Sequence, residues 1–305
     1  MIYYKIGKTP IRKKGVLAPM LEYTTKSFRD LCSNYGCGYL FTEMVHINKI
    51  INTDNLPLIS ESPTALQVVG DFRDKQSTLL AIEKIEKSKY KIVDFNFGCP
   101  SRKIISTNSG AFLLKYQKEA FEVLKEIKQV SNLAITVKTR LGFENNQIEK
   151  IAKQLEKINI DGLSVHGRLA TENYSVHSDF ESVRKISNLI SFPLIYNGDL
   201  TVENYKDFLN INEFSDLMIG RGALKDPFIF KQINSFLDHN STPTLTKKEI
   251  ILKYLYYAKK NNENISSQKL ILLQLLSGLE NTRSLKNSIC NSKTKEDLLS
   301  LFISK

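Results

Sequence analysis

Cys99 stands between Gly98 and Pro100, with no second cysteine at a disulfide or metal-ligand spacing; the other three, Cys32, Cys37 and Cys290, are scattered. A thiol of ordinary pKa, about 8.5, is mostly protonated at neutral pH, so a lone loop cysteine can donate a proton. The competing reading is an inert buried thiol, which also covers Cys32, Cys37 and Cys290. Two glycine-rich turns, Asn197-Gly198-Asp199 and Gly220-Arg221-Gly222, let backbone amides approach an anion, and Arg221 can add charge-assisted hydrogen bonds. Each alone is also ordinary turn chemistry. Lys138 and Arg140 follow Ile135 and Val137 at the spacing that puts both on one side of a strand, where two cations want an anionic partner. His166, after Val165, either bonds a ligand or satisfies a core carbonyl. His46, His177 and His239 have no comparable context.

These residues need a scaffold that gathers them. Eight short runs rich in β-branched and aromatic residues, at 16–20, 39–44, 65–70, 92–97, 134–140, 162–166, 194–198 and 217–220, end in small or polar residues. Their starts lie 23, 26, 27, 42, 28, 32 and 23 residues apart, close to the ~30 residues of a strand with its crossover helix. Stretches 74–88 and 117–130 show helical periodicity. Eight such units spell an α/β fold, a (β/α)8 TIM barrel, whose strand ends converge on one mouth. There the pattern brings together Met20, Glu43, Gln67, Asn96 with Cys99, Lys138 with Arg140, His166 with Arg168, and the two glycine turns. The turns follow strands seven and eight, the usual phosphate position of such barrels. The spacing of 42 reflects a long loop after the fourth run, the one carrying Cys99.

After Phe230 the strand rhythm stops. The segment at 241–245, with Pro243, reads as a linker, and Thr246 to Glu249 reads as a capping box. Helices are expected at 250–260, 267–280 and 294–302, so the chain divides into a barrel over 1–240 and a small C-terminal helical domain over 241–305.

The 305 residues are 42% hydrophobic and 25% charged, which excludes disordered and collagen-like classes. No apolar run reaches the ~18 residues of a membrane span, and the first residues lack a signal-peptide core; a cytoplasmic monomer without membrane contact or bound metal is expected. The net charge of +11 admits RNA as a partner, although 34 Lys against nine Arg equally fits a compositional bias. Residues 241–305 carry 11 cations against five carboxylates, which concentrates the basic density in the tail.

Taken in chain order, Ala18-Pro19-Met20, Ala65-Leu66-Gln67, Asp94-Phe95-Asn96-Phe97-Gly98-Cys99-Pro100, Ser109-Gly110-Ala111, Val137-Lys138-Thr139-Arg140, Val165-His166-Gly167-Arg168, Asn197-Gly198-Asp199 and Gly220-Arg221-Gly222-Ala223 resemble the tRNA-dihydrouridine synthases. The resemblance covers about residues 16–230, and its Gly-Cys-Pro loop is the most specific part. It implies FMN, with the phosphate at Gly198, Gly220, Arg221 and Gly222. Pro19, Met20, Asn197 and Asp199 would complete the cofactor site, with Gln67, Lys138 and His166 beside the flavin's pyrimidine edge. It further implies hydride delivery to C6 of a uracil, a proton from Cys99 to C5, and NADPH or NADH as reductant. Asn96 would position the base, and Arg102, Lys103, Arg140 and Arg168 are the expected RNA contacts. Ribosomal RNA and free pyrimidines are the alternative substrates. Phe97, Phe180 and Phe228 depart from the family pattern, as does most of the tail beyond Gly278 and Arg283.

Overall fold

The computed structural model describes residues 2–209 and 211–303. Eight parallel strands form a closed cylinder: β1 (Val16–Leu17), β2 (Tyr39–Phe41), β3 (Thr64–Val69), β4 (Ile92–Phe97), β5 (Ala134–Arg140), β6 (Gly162–His166), β7 (Leu194–Asn197) and β8 (Asp216–Ile219). Neighbours pair in chain order, and β8 returns to β1 through Met218 with Val16 and Ile219 with Leu17, so the eight strands close on themselves. Each of the eight expected runs contains a strand. Two stop early. β1 ends at Leu17, so that residues 18–20 are free to line the mouth. β2 ends at Phe41, and a separate pair, Val45–His46, rejoins β3 beside Val68 and Val69.

Alternation along each strand decides what faces inward. On β4, Ile92, Asp94 and Asn96 point into the barrel, while Val93, Phe95 and Phe97 pack against the surrounding helices. Phe97 therefore sits with Phe72 and Phe121 in the outer shell and does not crowd the mouth. The lower end is plugged by an N-terminal hairpin, Tyr4–Ile6 with Thr9–Ile11, whose Ile6 and Ile11 join Val16, Tyr39, Ile92, Ala134 and Ile195 in an apolar cluster of their own. With that end filled, the polar groups farther along the same inward rows collect at the other.

The tail forms four helices: Lys247–Lys260, Ile265–Leu275, Arg283–Asn291 and Lys295–Ile303. The first opens on the expected capping box, with Thr246 accepting from the Glu249 amide and Glu249 accepting from the Thr246 amide. The second ends at Leu275, short of the expected 280, before Gly278 turns the chain at φ +81°. The helix at Arg283–Asn291 is one the sequence reading does not expect; Ile289 is its one buried residue. Ile250, Tyr254, Ile271 and Leu275 are buried in the same cluster as Phe28 and Leu31 of the barrel helix Lys26–Asn34. At about 1.5–3 kcal/mol for each large apolar side chain, this contact is a substantial part of the fold. Cys32 and Cys37 are buried as expected; Cys290 is exposed, contrary to the buried reading. Among the described residues no helix is long and apolar enough to cross a membrane.

Candidate active site

The mouth holds a cavity of about 740 Å³, within the range of cofactor pockets. Its wall brings together the ends of strands far apart in sequence. Gln67 comes from β3, Asn96 from β4, Lys138 and Arg140 from β5, His166 from β6 and Asn197 from β7, with Cys99 on the loop after β4. Pro19 and Met20 line it after β1, Gly198 and Asp199 after β7, and Gly220, Arg221 and Gly222 after β8. Lys103 lines it from the short helix Arg102–Ile105, whereas Arg102 and Arg168 stand outside the lining.

Asn96 organises the thiol loop. Its Oδ1 accepts from the amides of Gly98 and Cys99 at 3.0 and 2.9 Å, and its Nδ2 donates to Gln67 Oε1 at 3.0 Å. From behind, the carbonyl of Cys99 accepts from the Ala111 amide at 3.0 Å. This contact requires Gly110, at φ +61°, where an added Cβ would lie 2.8 Å from the Cys99 carbonyl oxygen. The Ser109-Gly110-Ala111 motif is thus the support of the thiol loop.

Lys138 donates to Asn197 Oδ1 at 3.0 Å, and Asn197 Nδ2 donates to the Met218 carbonyl at 2.9 Å. Burial, then the neighbouring Arg140, lowers the Lys138 ammonium from its usual range to about 8. An ammonium held with one neutral partner at the wall of a cavity is suited to an anionic ligand. His166 lies far below its usual pKa because of burial and then the surrounding cations Lys138, Arg140, Arg168 and Arg221. Its Nε2 is 2.9 Å from Arg168 Nη1. A guanidinium only donates, so Nε2 accepts and the proton of the neutral ring is on Nδ1.

Arg168 is 1% exposed and every nitrogen is engaged: Nε with the Val176 carbonyl at 2.6 Å, Nη1 with His166, and Nη2 with Asp199 at 2.6 Å. It fastens the 168–179 loop behind the wall. Asp199 also receives Arg221 Nη2 at 3.1 Å; although partial burial opposes ionisation, the bond from Arg168 holds this carboxyl below its usual range. Arg140 points inward as its spacing predicts, and also donates to the Leu169 carbonyl at 2.7 Å. Gly222 is a position of close approach, since an added Cβ would meet the Leu200 carbonyl oxygen at 2.3 Å.

Met44, His46, Tyr174 and Lys225 also line the cavity without having been singled out as ligands in the sequence. Tyr174 sits in an irregular loop, where no periodicity marks it, and its ring carries the Arg221 guanidinium at 3.9 Å. His46 signals itself only as the residue preceding a short helix, where its Nδ1 accepts from the Asn48 amide at 3.2 Å.

The chain is similar to known proteins in fold and in sequence. Among solved structures, the old yellow enzyme homologue from Zymomonas mobilis matches with a TM-score of 0.53 at 12% identity, over 78% of this chain and 92% of that one. Histamine dehydrogenase from Rhizobium sp. 4-9 matches with a TM-score of 0.55 at 14% identity, over 83% of this chain and 50% of that one. At such identities the likeness speaks for the fold alone. The tRNA-dihydrouridine synthase B of Vibrio parahaemolyticus is 31% identical over 264 residues, covering 82% of this chain and 81% of its own. That of Pseudomonas putida is 30% identical over 260 residues, covering 81% of this chain and 77% of its own. The family model described as Dihydrouridine synthase matches residues 16–302, nearly the whole length, and the chain belongs to this family of flavoprotein oxidoreductases.

Proposed function

We propose that this protein reduces particular uridines of tRNA to 5,6-dihydrouridine, with FMN as its resident cofactor and NADPH or NADH as reductant. The observation that carries the reading is the meeting, in one cavity, of a partly exposed thiol on the Asn96-held loop with the buried ammonium of Lys138 and the glycine turns after β7 and β8. The donor set fits a flavin mononucleotide. Gly198, Gly220, Arg221 and Gly222 offer amides and a guanidinium to a phosphate, and Lys138 and Gln67 offer donors to an electron-rich ring edge. Bound FMN would supply the hydride that saturates the uracil at C6.

The chain's own part is to hold, orient and protonate. Lys138 supplies positive charge where negative charge must be held. Asn96 and Gln67 present amides to a flat heterocycle, and Cys99 gives its Sγ proton to C5 of the uracil. Arg168 contributes by holding Asp199, Arg221 and His166 in place, so its part in RNA recognition is indirect; Arg102 and Lys103 are exposed beside the mouth and suit phosphates of the RNA. The basic residues of 241–305 would hold the folded RNA while the target base leaves its stack. Both reductant and RNA are cytoplasmic, where this enzyme would act.

The test is direct: purified protein should be yellow and release FMN. Dihydrouridine mapping in RNA from a strain lacking the protein should show loss at defined tRNA positions. Loss in ribosomal RNA instead, or intact dihydrouridine everywhere, overturns the substrate assignment.

A further inference from the structure

Asp94 has no part in the chemistry derived above. It is fully buried on β4, two residues before Asn96 on the same inward row, beneath the cavity and outside its lining. Its Oδ1 accepts from Thr136 Oγ1 at 2.7 Å and its Oδ2 from Gln67 Nε2 at 2.8 Å. From there the hydrogen bonds run in one direction. Gln67 Oε1 accepts from Asn96 Nδ2, and Asn96 Oδ1 accepts from the backbone amides of Gly98 and Cys99.

The two ends of this chain are chemically obligate. A carboxylate only accepts, and a peptide N–H only donates. The two amides between them are free to flip in isolation, yet turning either one here sets donor against donor or acceptor against acceptor. The direction of the chain therefore follows from what its ends are. We propose that Asp94 is a positioning residue: by accepting from Gln67 and Thr136 it sets the polarity of the Gln67–Asn96 amide pair, and so seats the loop that carries Cys99. The inference rests on the functional reading only in giving Cys99 a catalytic task.

A direction set by its ends can be reversed by exchanging the ends. Asn96→Asp alone puts a carboxylate against Gln67 Oε1 while Asp94 still demands the Gln67 amino group, so the pair is frustrated. Adding Asp94→Asn relieves it. The new Asn at 94 donates to a flipped Gln67, Gln67 donates to the new Asp at 96, and the Gly98 and Cys99 amides keep an acceptor. Asp94→Asn alone should be mild, because the Thr136 hydroxyl can turn and accept from the new amide while its oxygen still serves Gln67.

The experiment measures the rate at which iodoacetamide alkylates Cys99 in the purified full-length protein, resolved by peptide mass, alongside melting temperature and steady-state uridine reduction. Asn96→Asp should shift the alkylation rate by about tenfold, and the double variant should return it to within about twofold of the unsubstituted protein. Uridine reduction should stay low in the double variant, since Gln67 then presents its other end to the cavity. A merely structural Asp94 would give a double variant worse than either single one. The proposal is overturned if Asn96→Asp leaves the thiol unchanged, or if the double variant is no better than Asn96→Asp. Should both fail to fold, Asp94→Leu decides against Asp94→Asn: it removes the acceptor for Gln67 and Thr136, so an alkylation rate shifted about tenfold in Asp94→Leu but not in Asp94→Asn supports the proposal, and equal rates in the two overturn it. An unsubstituted protein inactive on uridine would count against the functional reading, while the alkylation series would still decide the role of Asp94.

Discussion

Asn96 holds Cys99 by its backbone: the side-chain oxygen of Asn96 accepts from the Cys99 amide at 2.9 Å and makes the same demand on Gly98. The seat of the thiol is therefore independent of the thiol itself. The Sγ atom can be removed without removing the hydrogen bonds that shape the loop.

Cys99→Ala should accordingly keep the fold, the flavin spectrum and oxidation of the nicotinamide reductant, and lose uridine reduction by about 10²–10⁴-fold, as for removal of a general acid. Single-turnover oxidation of the reduced protein by tRNA measures it. Turnover at the unsubstituted rate would remove the proton-donor role from Cys99.

Lys138 predicts a conflict between stability and binding. Burial lowers its folded-state pKa to about 8 from the ordinary 10.5. The penalty is thus present in full below pH 8, and stability rises with pH between 8 and 10.5 as the unfolded chain binds more protons; the shift corresponds to at most roughly 3 kcal/mol. Lys138→Met should raise the melting temperature of the flavin-free protein at pH 7 while weakening FMN affinity. In the unsubstituted protein that affinity should fall as pH rises through 8, and the variant should lack this dependence. Titrating flavin fluorescence across pH 6.5–9 checks both; a destabilised variant or an unchanged pH profile would contradict the assignment.

Arg168 and Lys103 separate support from contact. Arg168→Met leaves the Val176 carbonyl and His166 Nε2 without their donor and takes one of two cations from the partly exposed Asp199, which should cost about 1–3 kcal/mol and show as a lowered melting temperature. The salt dependence of RNA binding should be unaltered. Lys103→Ala should leave the melting temperature unchanged and reduce the slope of log affinity against log salt by about one. Thermal melts and RNA titrations at several salt concentrations distinguish the two; the opposite assignment of effects would make Arg168 the RNA contact.

The barrel was legible because its signals are local. Strand runs at near-constant spacing, polar residues closing each run, and the Thr246 to Glu249 box are set by side-chain period and backbone hydrogen-bonding needs. They need no distant partner to be recognised. The same locality made Lys138 and Arg140 readable as inward-facing, since two residues on one strand share a side whatever the rest of the chain does. It failed where order comes from packing: the polar Arg283–Asn291 helix answers to the tail helices Ile265–Leu275 and Lys295–Ile303 on either side of it, and Ile265–Leu275 to the barrel helix Arg221–Lys225 it meets.

What the sequence determined by itself was the set of chemical groups and the strands they terminate. Only the tertiary structure decided how each group is spent. Arg168 and Arg140 look alike as strand-end cations, yet one is walled in by Val176, Asp199 and His166 while the other still borders the cavity. The reason is that a hydrogen bond needs its partner within about 3 Å, and Lys138 comes that close to Asn197, 59 residues on and two strands away, only when the strands are rolled into a cylinder.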